Sequence, residues 1–108
     1  MAIKKTIESI NATELKQKIT NKEDFQLIDV REVFEHDEFN IGGGLIPLQN
    51  LIQCIDKIST HKPVVLYCRK GIRSEIAIQR LQEKYPFNNL INLAGGIEAW
   101  KKQFENDM

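Results

Sequence analysis

The chain has 108 residues with 15 basic and 15 acidic side chains, so no global field favours nucleic acid or an acidic membrane surface. Its length suits one domain over residues 1–108 with a single modest core. Two isolated cysteines, Cys54 and Cys68, are too few for a disulfide framework, a Cys-x-x-Cys redox pair or a Cys/His zinc site, and they suit a reducing compartment.

The first nine residues lack the apolar core of a signal peptide, and no later stretch is long and apolar enough to span a membrane, so a soluble cytoplasmic protein is expected. A short strand is expected over Ile7 to Ile10. Asn11-Ala12-Thr13-Glu14 then reads as a helix N-cap with glutamate at its third helical position. After the polar break at residues 20–24, Phe25 to Val30 is a short apolar run typical of a buried strand. A helix between two strands favours crossover connections, and hence an α/β fold with a mostly parallel sheet. Asp29 and Arg31 fall where this strand ends, which in a parallel sheet is the side of the ligand crevice. They are expected to lie near the Cys68 loop; the plainer reading is a purely structural pair capping the next helix.

Residues 32–39 suit a short amphipathic helix with Val33 and Phe34 available for burial, and His36 is expected to be exposed among its charged neighbours. Gly42-Gly43-Gly44 suits a mobile rim or a tight turn packed against backbone. Leu48, Leu51, Ile52, Ile55 and Ile58 follow helical spacing, which predicts a helix over about residues 49–59. Cys54 lies beside its apolar face, as a small buried hydrophobe or as a resolving thiol for Cys68. His61 is expected in a solvated turn.

Next comes the stretch in which chemistry is expected. Val64 to Tyr67 is an apolar strand that stops at Cys68, and Arg69-Lys70-Gly71-Ile72-Arg73-Ser74 leads into a helical pattern. At a strand–loop–helix junction the loop amides and the first helical turn have no intrahelical acceptors, so they favour an anion at the loop centre. Those amides, the helix dipole and the three cations would stabilise a Cys68 thiolate. Gly71 fits a position needing positive φ. The competing interpretation is a half-buried structural cysteine with the cations on a solvated helix start. Leu90 to Leu93 supplies another strand, Gly95-Gly96 a close turn, and Ile97, Trp100 and Phe104 a last helix anchored by Trp100. The ending, residues 105–108, is expected to fray.

Cys68-Arg69-Lys70-Gly71-Ile72-Arg73-Ser74 resembles the active-site loop of the rhodanese family of sulfurtransferases. Leu27-Ile28-Asp29-Val30-Arg31-Glu32 resembles the family's strand-ending motif, and Leu93 to Trp100 its closing Gly-Gly turn and last helix. The resemblance implies a central, mostly parallel sheet with helices on both faces, and a persulfide cycle on Cys68 with Arg69 to Ser74 binding the anionic sulfur and Asp29 and Arg31 in support. It also implies a small anionic sulfur donor, a cellular thiol as acceptor, and no metal or organic cofactor. Asn40 departs from the family pattern, standing where histidine is common. A partner-binding or sulfide-sensing module without catalysis is the alternative of a different class. Phosphatase or arsenate reductase chemistry is disfavoured by spacing: Arg73 follows Cys68 after four residues, whereas that chemistry needs five to ring a tetrahedral oxyanion.

Overall fold

The computed structural model describes residues 7–105, so all of the ending expected to fray except Glu105 lies outside the described residues. In chain order the elements are β1 (Glu8–Ile10), α1 (Ala12–Thr20), β2 (Gln26–Asp29), α2 (Val33–Glu38), β3 (Gly44–Leu45), β4 (Val64–Tyr67), α3 (Ile72–Lys84), β5 (Leu90–Leu93) and α4 (Gly96–Phe104). The five strands form one sheet in the order β1-β5-β4-β2-β3, and every neighbouring pair is parallel. β4 and β5 are buried along their whole length, as strands covered on both faces must be.

Alternation along these strands divides the core into two layers. Ile28, Val64, Leu66 and Leu90 face one side and pack against Ala77, Ile78 and Leu81 of α3. Val65, Tyr67, Ile91 and Leu93 face the other, against Leu15 of α1 and Ile97 and Trp100 of α4. Helices thus cover both faces, as the resemblance implies. α1 begins as the sequence predicts: the Asn11 side chain accepts from the Glu14 N–H and the Glu14 side chain accepts from the Asn11 N–H, both at 2.8 Å.

Two expectations are corrected. Residues 49–59 form no α-helix; they hold two single 3₁₀ turns, Leu48–Asn50 and Ile55–Lys57, joined by a turn. Leu48 to Leu51 and Ile55 to Ile58 are each three apart, a spacing that closes 3₁₀ bonds as readily as it marks one helix face. The Gln26 amide then holds the Lys57 carbonyl at 2.9 Å while its oxygen accepts from the Ser59 N–H at 2.8 Å, ending any helical continuation. In α2, Val33 and Phe34 are not buried but 55% and 70% exposed. That helix docks through its polar residues instead.

Candidate active site

β4 carries Cys68 to the carboxyl end of the sheet, where its side chain is almost entirely buried. The chain turns sharply through Arg69 and Lys70, and Gly71 caps α3 with a φ of 97°. A Cβ on Gly71 would press to 3.1 Å from the Gly95 nitrogen and 3.3 Å from the Leu93 carbonyl oxygen, so dihedral and space both call for glycine. This geometry turns the cap and first turn of α3 onto the sulfur. The N–H groups of Gly71 and Ser74 donate to Cys68 Sγ at 3.1 and 3.3 Å, with Ser74 Oγ 3.4 Å away. Two backbone donors at the start of α3 thus converge on the sulfur and face whatever charge it carries. A recess of about 250 Å³, lined by Cys68, Arg69, Lys70, Ile72 and Arg73, opens onto them.

The loop is held from behind by α4. The Ile97 and Glu98 N–H groups donate to the carbonyls of Cys68 and Arg69 at 2.9 and 3.0 Å. A Cβ on Gly96 would lie 2.6 Å from the Arg69 carbonyl oxygen and overlap that of Cys68, so this approach requires the second glycine of the pair. In the same way a Cβ on Gly43 would overlap the Leu27 carbonyl, in agreement with a tight turn packed on backbone.

The cations are largely spoken for. Arg73 donates twice to Glu35 of α2, at 2.8 and 2.9 Å. Those bonds hold the Glu35 carboxyl down to about 2 against the opposing effect of burial, with the Glu32 N–H assisting. Hydrogen bonding to Glu35 likewise raises the Arg73 guanidinium. Arg69 pairs with Glu98 at 3.0 Å in an exposed contact. Among the described residues Lys70 forms no ion pair, and Ile72 is 64% exposed at the rim.

Asp29 and Arg31 make a buried bidentate pair, Arg31 Nε and Nη2 each donating at 2.9 Å. The Arg31 N–H adds a bond to Asp29 at 3.0 Å, and Nη2 also reaches the Phe39 carbonyl. Burial works against the Arg31 charge, but the bonds and charge of Asp29 outweigh it and raise the guanidinium. His36 is not the exposed residue expected: its side chain is 20% exposed, and Nδ1 lies 2.8 Å from Asp29 Oδ2. Tyr67, opposite Asp29 in the sheet, donates to the Gly42 carbonyl at 2.8 Å; burial, then the Asp29 charge, raises its phenol. This cluster shares the sheet face of Tyr67, opposite the layer beneath Cys68. It meets the sulfur loop edge-on, through a 420 Å³ cleft walled by Arg31, Phe34, Glu35, Arg69 and Glu98, and Arg69 belongs to both cavities. A depression of 490 Å³ beside Gln26 and Ser59 lies at the opposite ends of the strands, away from the sulfur.

Residue by residue, the structure gathers Cys68, Arg69, Lys70, Ile72 and Arg73 around one recess, turns the N–H groups of Gly71 and Ser74 onto the sulfur, and brings Arg31 to the neighbouring cleft, while Asp29 sits behind Arg31. Asn40, at the departure from the family pattern, bonds locally: its amide donates to the His36 carbonyl and its oxygen accepts from the Gly42 N–H, each at 2.9 Å. Cys54 is half-buried against the core, and His61 is exposed. Sequence inspection missed Glu35, read only as part of an amphipathic helix, and Asn92. The signal for Asn92 was a lone amide in the apolar strand Leu90-Ile91-Asn92-Leu93. Among the described residues no cluster of three or more His, Cys, Asp or Glu side chains converges as a metal site requires.

The model of the rhodanese-like domain matches residues 11–103, and the chain belongs to that family. It is 34% identical over 98 residues to the thiosulfate sulfurtransferase GlpE of Coxiella burnetii, covering 90% of this chain and 87% of that one. It is 37% identical over 103 residues to the probable adenylyltransferase/sulfurtransferase MoeZ of Mycobacterium tuberculosis, covering 93% of this chain but only 26% of that longer protein. Among solved structures, a rhodanese-like domain protein from Staphylococcus aureus superposes with a TM-score of 0.79 at 26% identity, over 87% of this chain and 91% of that one.

Proposed function

We propose that this protein is a sulfurtransferase that carries sulfane sulfur as a persulfide on Cys68. The observation that carries the proposal is the convergence of the Gly71 and Ser74 N–H groups on a buried Cys68 sulfur at the N-terminus of α3. The thiolate attacks the outer sulfur of thiosulfate, a polysulfide or another persulfide. A new S–S bond forms as the donor's bond breaks, and sulfite or a thiolate departs with the bonding pair. With thiosulfate, one thiolate and one dianion become one persulfide anion and sulfite dianion, so charge and electrons balance. Cyanide in an assay, or a low-molecular-weight or protein thiolate in the cell, then attacks the terminal sulfur and Cys68 leaves as thiolate.

Each residue has a role in this cycle. The amides of the Arg69–Ser74 loop hold the anion as preorganised dipoles that need no rearrangement when the second sulfur arrives. Lys70 is the cation available to attract a small anionic donor, and Ile72 gives the recess an apolar lip. Arg73, fixed by Glu35, and Arg31, fixed by Asp29, keep the wall in place. The similarity to the thiosulfate sulfurtransferase supports thiosulfate as one donor. Two free cysteines favour a reducing compartment, the cytoplasm, with residues 1–108 working as one domain. The test is thiocyanate formation from thiosulfate and cyanide: wild type should turn over and Cys68→Ser should not. Hydrolysis of an aryl phosphate without thiocyanate formation would overturn the proposal.

A further inference from the structure

Asn92 stands at the third position of β5, buried among apolar neighbours, and its two amide ends point at the two sides of the sulfur loop. Its oxygen accepts from the Ser74 hydroxyl, and its Nδ2 donates to the Gly71 carbonyl at 3.4 Å. Gly71 and Ser74 are the two residues whose N–H groups donate to Cys68 Sγ. The contacts close into a ring: sulfur to the Gly71 N–H, Gly71 carbonyl to Asn92, Asn92 to the Ser74 hydroxyl, and the Ser74 N–H back to sulfur. Ser74 is fully buried and Asn92 nearly so, so each link is made away from competing water.

We propose that Asn92 is the positioning residue of this site: anchored in the sheet, it fixes the separation and aim of the two amides that hold the Cys68 sulfur. A buried amide in a central strand is costly unless both its ends are bonded, and here both are bonded to the loop. The partners differ in stiffness. β5 lies between β1 and β4 and is paired on both sides, whereas the loop is a sharp turn carrying a positive-φ glycine. Asn92 therefore lends the geometry of the sheet to the loop. The Ser74 hydroxyl, with its one proton given to Asn92, turns a lone pair towards Cys68; it accepts from a thiol and leaves the Ser74 and Gly71 N–H groups as the donors to a thiolate.

The role in sulfur transfer rests on the persulfide function proposed above, whereas the effect on the thiol does not, and the experiment separates them. Wild type, Asn92→Leu, Asn92→Thr, Ser74→Ala and the Asn92→Thr/Ser74→Ala double variant are compared. The readouts are the iodoacetamide alkylation rate of Cys68 at fixed neutral pH in a Cys54→Ser background, and sulfur uptake by intact mass. Threonine suits a strand but has no second polar end, so one Asn92 variant remains folded even if leucine disturbs the core. Thermal unfolding identifies the folded variants. The expected result is an alkylation rate lower by about tenfold in a folded Asn92 variant, as for the loss of one hydrogen bond to a charged group, with the double variant no slower than Asn92→Thr alone by more than about twofold. A folded Asn92 variant that alkylates within about twofold of wild type would overturn the positioning role, as would losses that multiply in the double variant. If the Asn92 variant slows alkylation but wild type never takes up sulfur, the positioning role stands and the sulfur-transfer function fails.

Discussion

Asp29 accepts three hydrogen bonds from Arg31, and His36 Nδ1 adds a fourth contact, yet the side chain has no exposed surface. Such a pair gives little net stability as a pair, but removing one partner strands the other charge. Asp29→Asn should therefore cost about 3–5 kcal/mol in urea unfolding, and a double Asp29→Leu/Arg31→Met variant should recover much of that loss. Equal losses in single and double variants would show that the pair is not what the site depends on. Glu35 acts with the opposite pH sign to a histidine switch. Arg73 holds it ionised to about 2 when folded, against 4.5 ordinarily, so its contribution is complete above 4.5 and drains away as pH falls towards 2. Arg73 is about a third exposed, so solvent screening reduces that contribution to about 1 kcal/mol. Glu35→Gln should lose this at neutral pH, and its unfolding curve should approach that of wild type below about pH 3. A gap of constant size across that range would contradict the assignment. These charged residues and the Cys68 loop differ in how they could be read. Cys68 announces itself by ending an apolar strand among cations, whereas Glu35 and Asn92 gain meaning only from partners 38 and 18 positions away.

At the level of elements, α4 shows how two glycines serve the site without touching sulfur. Its first N–H groups bind the Cys68 and Arg69 carbonyls, and Gly96 has a φ of 57° at the point of closest approach. Gly96→Ala should destabilise the fold by at least about 1 kcal/mol and slow Cys68 alkylation, because the added methyl displaces the loop carbonyls. An alanine variant with wild-type unfolding and wild-type alkylation would contradict this coupling. Elements with a local signature, such as the Asn11–Glu14 capping box or the β-branched run of β4, were readable from sequence. The 49–59 segment was not, since apolar residues three apart serve successive 3₁₀ turns as well as one helical face. β3, two residues long and opening with glycine, has no propensity of its own and exists by pairing with β2. α2 misled for a related reason: Val33 and Phe34 suggested an apolar face, but Glu35 and His36 dock the helix.

Across the whole molecule, parallel pairing brings the ends of β2 and β4 to the same edge of the sheet, with Asp29 beside Tyr67 and Cys68 following directly. That arrangement explains how motifs far apart in the chain build one site. The alternation of strands and helices made an α/β fold and a parallel sheet legible, whereas the order β1-β5-β4-β2-β3 depends on long-range pairing that no local pattern encodes. Transfer of sulfur through Cys68 leaves a mass signature on the intact protein. Reduced wild type, Cys68→Ser and Cys54→Ser proteins are each incubated with thiosulfate and weighed. Wild type and Cys54→Ser should each gain the mass of one sulfur atom, and Cys68→Ser should gain none. No gain in wild type with thiosulfate or with polysulfide, or a gain that persists in Cys68→Ser, would contradict transfer through Cys68.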